Sequence, residues 1–299
     1  LEWKHPDEFD SFPKEHRRDA QLVGFFRREG VPASQIIYLQ DRQATLRRIQ
    51  TALAKQLTGA REGDMLFLYF SGHGYKPDDV HTYLATYDAG DEDVQGWAVD
   101  SIPATVARYF KGSRAILAVD SCFSGALAEA VKRRPGRVSY AVLTSAAADQ
   151  VSTENWTFTE SLLAALRGRP YADADGDGRI TLSELASRTR EDMSFAEDQS
   201  ASFAITGDFS PRMILAEAGE KMDERVGARV RVRSEGDWYK ALIVDASKTG
   251  REFRVHYYGW DDSYDEWVTA KMIRWPRTQA RVRPTYLVGR NMGQSPGLN

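Results

Sequence analysis

Two short runs, Met65–Phe70 and Ala115–Val119, carry no polar residue to turn toward water apart from one tyrosine hydroxyl. A strand that is apolar on both faces must be covered on both, and a sheet sandwiched between helices provides that cover. The surrounding sequence supplies the helices. Glu15 to Gly30 sets Leu22, Val23, Phe25 and Phe26 on one face and ends on glycine. Thr45 to Leu57 repeats Leu46, Ile49, Leu53 and Leu57 at spacings of three and four, the helical period. A further helix is expected near Phe158 to Arg167, and further strands at Ile36–Leu39 and Ser139–Thr144. Strands alternating with helices predict an α/β sandwich around a mostly parallel sheet.

The pattern changes after residue 217. Residues 218–225 are polar and read as a linker. From 226 to 276 short alternating segments (Ala228–Val232, Ala241–Val244, Phe253–Tyr257) are divided by Gly- and Asp-rich turns, the pattern of a small all-β barrel. Residues 277–299 contain four arginines and no acid and read as a basic tail. A formal net charge of -3 gives no global basic field for nucleic acid. No apolar run reaches the ~20 residues of a membrane span. A single cysteine, Cys122, excludes an internal disulfide and fits a reducing, cytoplasmic compartment.

The two apolar runs end in unusual loops. SGHGY follows the first and places His73 between glycines; DSCFSG follows the second and places Cys122 before Ser124 and Gly125, where a helix is expected to open. Ligands of α/β sheets gather beyond the carboxyl ends of strands, so both side chains are expected in one crevice. An imidazole and a helix N-terminus near a thiol favour the thiolate.

SGHG and DSCFSG, in that order, resemble the His and Cys motifs of the caspase-like cysteine peptidases, in particular metacaspases and bacterial orthocaspases. The likeness extends over residues 1–217 and includes AVLTSA and ADQVS. It implies a caspase-like three-layer sandwich, with Cys122 as nucleophile, His73 as base, and the Gly74 and Cys122 amides as an oxyanion hole. Metacaspases bind Arg or Lys through acids. Asp120 and Ser71 match that pattern, as does Asp19 in RRDAQ, although Arg18 replaces the usual Asn. The resemblance therefore implies an endopeptidase cutting protein or peptide substrates after Arg, with Lys second, through a thioester. By analogy with the family its setting is regulated proteolysis in bacterial stress, defence or cell death. The basic segment between the Cys122 helix and the next strand offers self-cleavage after Arg133 or Arg137. Family members open with a strand before the first helix, and none is evident here.

Residues 173–184, DADGDGRITLSE, fit an EF-hand loop for Ca²⁺: carboxylates from Asp173, Asp175 and Asp177, the carbonyl of Arg179 and a bidentate Glu184. The loop is single, whereas EF-hands pair. DWYKA, VHYYGW and YDEWV resemble a Tudor-knot or chromo-barrel domain, which implies an aromatic cage, with Trp238, Tyr257, Trp260 and Tyr264 as candidates for a partner's cation. Asp261, Asp262, Asp265 and Glu266 make one side of it acidic, which argues against nucleic acid. Two alternatives stand beside this reading: a catalytically silent caspase fold with a reader barrel, and the same protease gated by a small signalling ligand.

Overall fold

The computed structural model describes residues 1–12, 17–153, 155–220 and 223–276. After an aromatic N-terminal segment come α1 (Arg18–Arg28), α2 (Leu46–Gly59), β1 (Met65–Ser71), β2 (Gly74–Tyr75), β3 (Tyr83–Leu84) and β4 (Trp97–Ala98). The chain continues through α3 (Ser101–Tyr109), β5 (Arg114–Asp120), α4 (Gly125–Lys132), β6 (Ser139–Thr144) and α5 (Thr157–Leu166). It then forms β7 (Arg179–Thr181), α6 (Leu182–Glu197), β8 (Ser202–Ile205) and β9 (Ile214–Glu217).

The central sheet has the order β1-β5-β6-β8, parallel except for β8. The two-residue period of a strand divides its side chains between two cores. Ala115, Leu117 and Val119 join Leu57, Val106 and Leu127 of α2, α3 and α4. Ile116 and Ala118 join Leu22, Phe158, Leu162 and Leu185 of α1, α5 and α6. This is the expected three-layer sandwich, and burial on both faces explains why the runs carry so few polar groups.

Ile36–Leu39 differs from expectation. It is not laddered, and Ile37 is 45% exposed. A strand exists through its partners; among the described residues β1 pairs only with β5, so this segment has no neighbour to bond. Lying at that edge, β1 is mostly half-buried although as apolar as β5. No strand precedes α1 among the described residues.

The C-terminal unit contains β10 (Arg229–Ser234), β11 (Asp237–Ala246), β12 (Glu252–Tyr257), β13 (Glu266–Thr269) and β14 (Ile273–Arg274), an antiparallel sheet in the order β13-β12-β11-β10-β14. Glu235 and Gly236, both at positive φ, make the two-residue turn between β10 and β11. An irregularity between Ile243 and Asp245 bends β11, and Val230, Val232, Ile243, Phe253 and Val255 fill the concave side. The basic tail, 277–299, lies outside the described residues. The barrel is seated on the larger domain: Arg229 Nε and Tyr258 Oη donate to Asp192 at 2.7 and 2.9 Å, and Lys240 Nζ donates to the Ala196 carbonyl at 2.9 Å. None of the described helices is long and apolar enough to cross a membrane.

Candidate active site

Ser71 and Asp120 lie opposite one another where β1 and β5 end, and the Gly72 amide donates to the Asp120 carbonyl at 3.1 Å. His73 and Cys122 each follow two residues later, so neighbouring parallel strands deliver both to one edge of the sheet. The loops touch: a Cβ built on Gly74 would stand 2.1 Å from the Cys122 carbonyl oxygen, which restricts the position to glycine. Beyond the cysteine the chain turns sharply through Phe123, at φ 57. Left-handed backbone is costly for a bulky residue; the Phe123 amide, bonded to the Gln150 carbonyl at 2.8 Å, holds it there.

His73 is enclosed by the N-terminal segment. Its ring lies 4.5 Å from Trp3, 4.6 Å from Phe12 and 5.7 Å from Phe9, centroid to centroid. Trp3 and Phe9 are anchored in a small core with Leu1, Ala85 and Ala89. His73 Nε2 lies 2.8 Å from the Asp10 carbonyl oxygen. A carbonyl only accepts, so Nε2 carries the proton and, in the neutral ring, Nδ1 keeps its lone pair. Sequence reasoning missed this wall. Three aromatics in an otherwise charged stretch, Trp3, Phe9 and Phe12, were the available signal.

Cys122 is half-buried, and its Sγ accepts a hydrogen bond from the Ser152 amide at 3.1 Å. Ser152 is fixed in turn by Oγ contacts with Gln199 Oε1 at 3.1 Å and Ser145 Oγ at 3.3 Å. The same sulfur lies 3.7 Å from the Ser152 carbonyl oxygen, so both backbone groups of Ser152 contact it. No role was foreseen for Ser152.

The three residues expected to receive a basic side chain differ in state. Asp120 is buried, and burial pushes its carboxyl up to about 7 although Ser145 and Thr159 hydrogen-bond to it. Ser71 is half-buried at the end of β1. Asp19 is not open: Arg17 Nε and Nη2 donate to its two oxygens at 3.0 and 2.5 Å, and Tyr38 Oη donates at 2.9 Å. Arg17 also reaches Asp41 at 3.1 Å. The chain's own guanidinium thus occupies Asp19, bridging it to Asp41.

In the 173–184 loop Asp173, Asp175 and Asp177 bring one oxygen each within 4.8 Å of the others. Asp173 accepts from the amides of Gly176 and Gly178, which curls the loop around it. Glu184 reaches back across the loop, accepting from the Ala174 amide at 2.9 Å while its other oxygen completes a capping box with Thr181 on α6. This all-oxygen donor set fits the chemistry of a hard cation such as Ca²⁺. Arg179 opens β7, which pairs with β9, so the partner that a second loop would supply is a strand of the same domain.

The aromatic candidates divide. Trp260 and Tyr264 are exposed with ring centroids 5.0 Å apart, and Tyr239 bridges Trp260 and Tyr257 at 6.2 and 5.9 Å. Tyr257 is buried and donates to Glu266 at 2.6 Å. Trp238 instead lies under the Arg274 guanidinium at 4.3 Å, with no ring contact to the others among the described residues. Tyr239 was not foreseen. The expected acidic side is partly consumed inside the molecule, because Asp262 pairs with Arg18 at 2.7 Å and Asp265 with His256 at 2.8 Å. Arg133 is exposed and pairs with Asp100 at 2.7 Å, whereas Arg137 is tied to the carbonyls of Phe110, Lys111 and Gly112.

Residues 33–131, which contain both His73 and Cys122, match the family model described as metacaspase, peptidase C14 domain. Residues 225–275 match the Tudor-knot model, described as the RNA binding activity-knot of a chromodomain. The first match supports a cysteine-type peptidase of the caspase-like kind. No curated protein matches the chain. Among solved structures, protein GSU0716 from Geobacter sulfurreducens is 16% identical, covering 68% of this chain and 89% of that one with a TM-score of 0.46.

Proposed function

We propose that the protein is a cysteine endopeptidase that cleaves proteins or peptides after Arg, with Lys second. The observation that carries this reading is the contact between the His73 and Cys122 loops, with His73 held by the Asp10 carbonyl so that Nδ1 is the acceptor. In the proposed reaction the Cys122 thiol gives its proton to His73 Nδ1 and the thiolate attacks the substrate carbonyl carbon. The Gly74 and Cys122 amides receive the oxyanion. The C–N bond breaks as the imidazolium protonates the departing amine, leaving a thioester. Water, deprotonated by His73, attacks the thioester and releases the acid and the thiol.

Asp120 and Asp19 give the pocket its preference for a cation, Ser71 lies at its edge, and Arg17 is the internal cation that substrate displaces. Ca²⁺ bound through Asp173, Asp175, Asp177, Arg179 and Glu184 would hold the start of α6. The barrel's exposed Trp260 and Tyr264 and half-buried Tyr239, with Tyr257 and Glu266 behind them, suit a cationic side chain of a partner protein. Self-cleavage falls after Arg133 rather than Arg137, since Arg137 would first have to leave three carbonyls.

A fluorogenic peptide ending in Arg tests the reading. Cleavage is expected, with Cys122→Ala removing it together with any two-fragment pattern divided near residue 133. Undiminished hydrolysis by Cys122→Ala would sink the assignment.

A further inference from the structure

A cavity of 240 Å³ lies between α1 and α5 of the larger domain and strands β11 and β12 of the barrel. Ligand sites favour such domain boundaries, and this volume lies below the roughly 300 Å³ at which drug-sized pockets begin. Its charges are segregated by how well they are satisfied. Where α1 and the start of α5 meet the barrel they are paired: Asp262 with Arg18, and Asp265 and Glu160 with His256. On the α5 side Arg167 is not. Its guanidinium donates one hydrogen bond, to Gln21 Oε1 at 3.0 Å, its buried Nε has no partner, and among the described residues no carboxylate pairs with it. Burial and the nearby charges of Arg28, Arg169 and Arg18 all disfavour its charged form, lowering its pKa. Arg167 thus lines the space with an unmatched, partly buried charge, which an entering anion would offset.

We propose that this cavity binds a sugar phosphate. Arg167 and Arg169, two neighbouring guanidiniums in its lining, grip the phosphate, a multiply charged group that accepts bidentate hydrogen bonds. The carboxylates of Glu160 and Asp262 at the other end accept hydrogen bonds from sugar hydroxyls. Such a ligand would bridge the two domains. The site shares no residue with the proposed catalytic machinery, and its occupancy can be read without a peptidase assay.

Calorimetry and thermal melting of the full chain with ribose 5-phosphate, AMP and inorganic phosphate test the proposal. Ribose 5-phosphate or AMP is expected to bind more tightly than inorganic phosphate and to raise the melting temperature. Arg167→Gln is expected to weaken that binding about ten-fold or more, the loss of one charge-assisted bidentate contact. Because Arg167 is half-buried and its substitution also touches packing, exposed Arg169→Gln serves as the second variant, each melted first without ligand. Arg134→Gln, on a distant surface loop, should bind as the parent does. Absence of binding at millimolar ligand, inorganic phosphate binding as tightly as the organic phosphates, or affinity unchanged in both variants would overturn the proposal.

Discussion

Two carboxylates, Asp120 and Asp19, carry most of the specificity proposed for the pocket. Asp120 sits in a desolvated site where Glu160 and Glu197 add to the effect of burial, so its carboxyl titrates near 7. A carboxyl raised above its unfolded value binds more protons in the native state, so Asp120 makes stability fall as pH rises from about 4 to about 7. An incoming guanidinium reverses that preference by favouring the carboxylate. In the Cys122→Ala protein, where no thiol titrates, binding of an Arg-terminated peptide should therefore tighten as pH rises through about 7. Asp120→Asn should flatten this dependence; an unaltered slope in that variant, by titration calorimetry, counts against Asp120 as a pocket acid. Arg17 makes the opposite test. It is held by Asp19 and Asp41, and Arg17→Gln should lower KM for Arg peptides severalfold, by about 1 kcal/mol of released competition, with kcat little changed. A raised KM would show that Arg17 shapes the pocket instead of blocking it.

Elements were legible where their period was unambiguous. β1, β5, β6 and α2 follow from apolar runs and from Leu46, Ile49, Leu53 and Leu57, and the ends of β1 and β5 locate the site because parallel strands finish together. The site's depth was not legible: Trp3, Phe9 and Phe12 reach His73 from far away in sequence, and the pairing of Arg17 with Asp19 depends on where α1 begins, which no period encodes. Ile36–Leu39 shows the converse, a strand-like pattern without a ladder, since a strand needs a neighbour that local sequence cannot supply. The start of α6 joins both kinds of information. Thr181 and Glu184 form its capping box, and Glu184 also belongs to the proposed Ca²⁺ loop. Thr181→Ala should cost about 1 kcal/mol with or without calcium. Asp175→Asn should leave the calcium-free protein almost unchanged while abolishing the rise in melting temperature on adding Ca²⁺. A parent protein whose melting ignores both Ca²⁺ and chelator would remove the ion from the proposal.

At the scale of the whole molecule the two domains are joined through buried charge. Asp192 of α6 accepts from Arg229 and Tyr258 of the barrel and from Ser161 of α5 at 2.7 Å, and pairs with Arg188 at 3.2 Å. Burial opposes its ionisation, yet Arg188 and Arg229 hold its carboxyl below the usual value. His256 meets the same competition from the other side: burial lowers its pKa, but Asp265 and Glu160 carry it up to about 10. The signs follow from linkage. The stability from Asp192 is present above its unfolded pKa near 4 and is lost as pH falls through its depressed value. That from His256 is complete below about 6.5 and is lost as pH rises through about 10. The junction is therefore strongest between about pH 4 and 6.5 and loosens progressively on the alkaline side. His256→Gln should remove the alkaline loss while lowering stability at pH 6. Asp192→Asn should cost about 3 kcal/mol at neutral pH, because it leaves buried Arg188 without its carboxylate and Arg229 with only the exposed Glu191. Limited proteolysis reads the same junction directly: Asp192→Asn should speed cutting within residues 218–225 at pH 7, and the parent should approach that rate near pH 10. If the variant melts and is cut as the parent is, the barrel is held by its apolar contacts and the buried charges are incidental to the union.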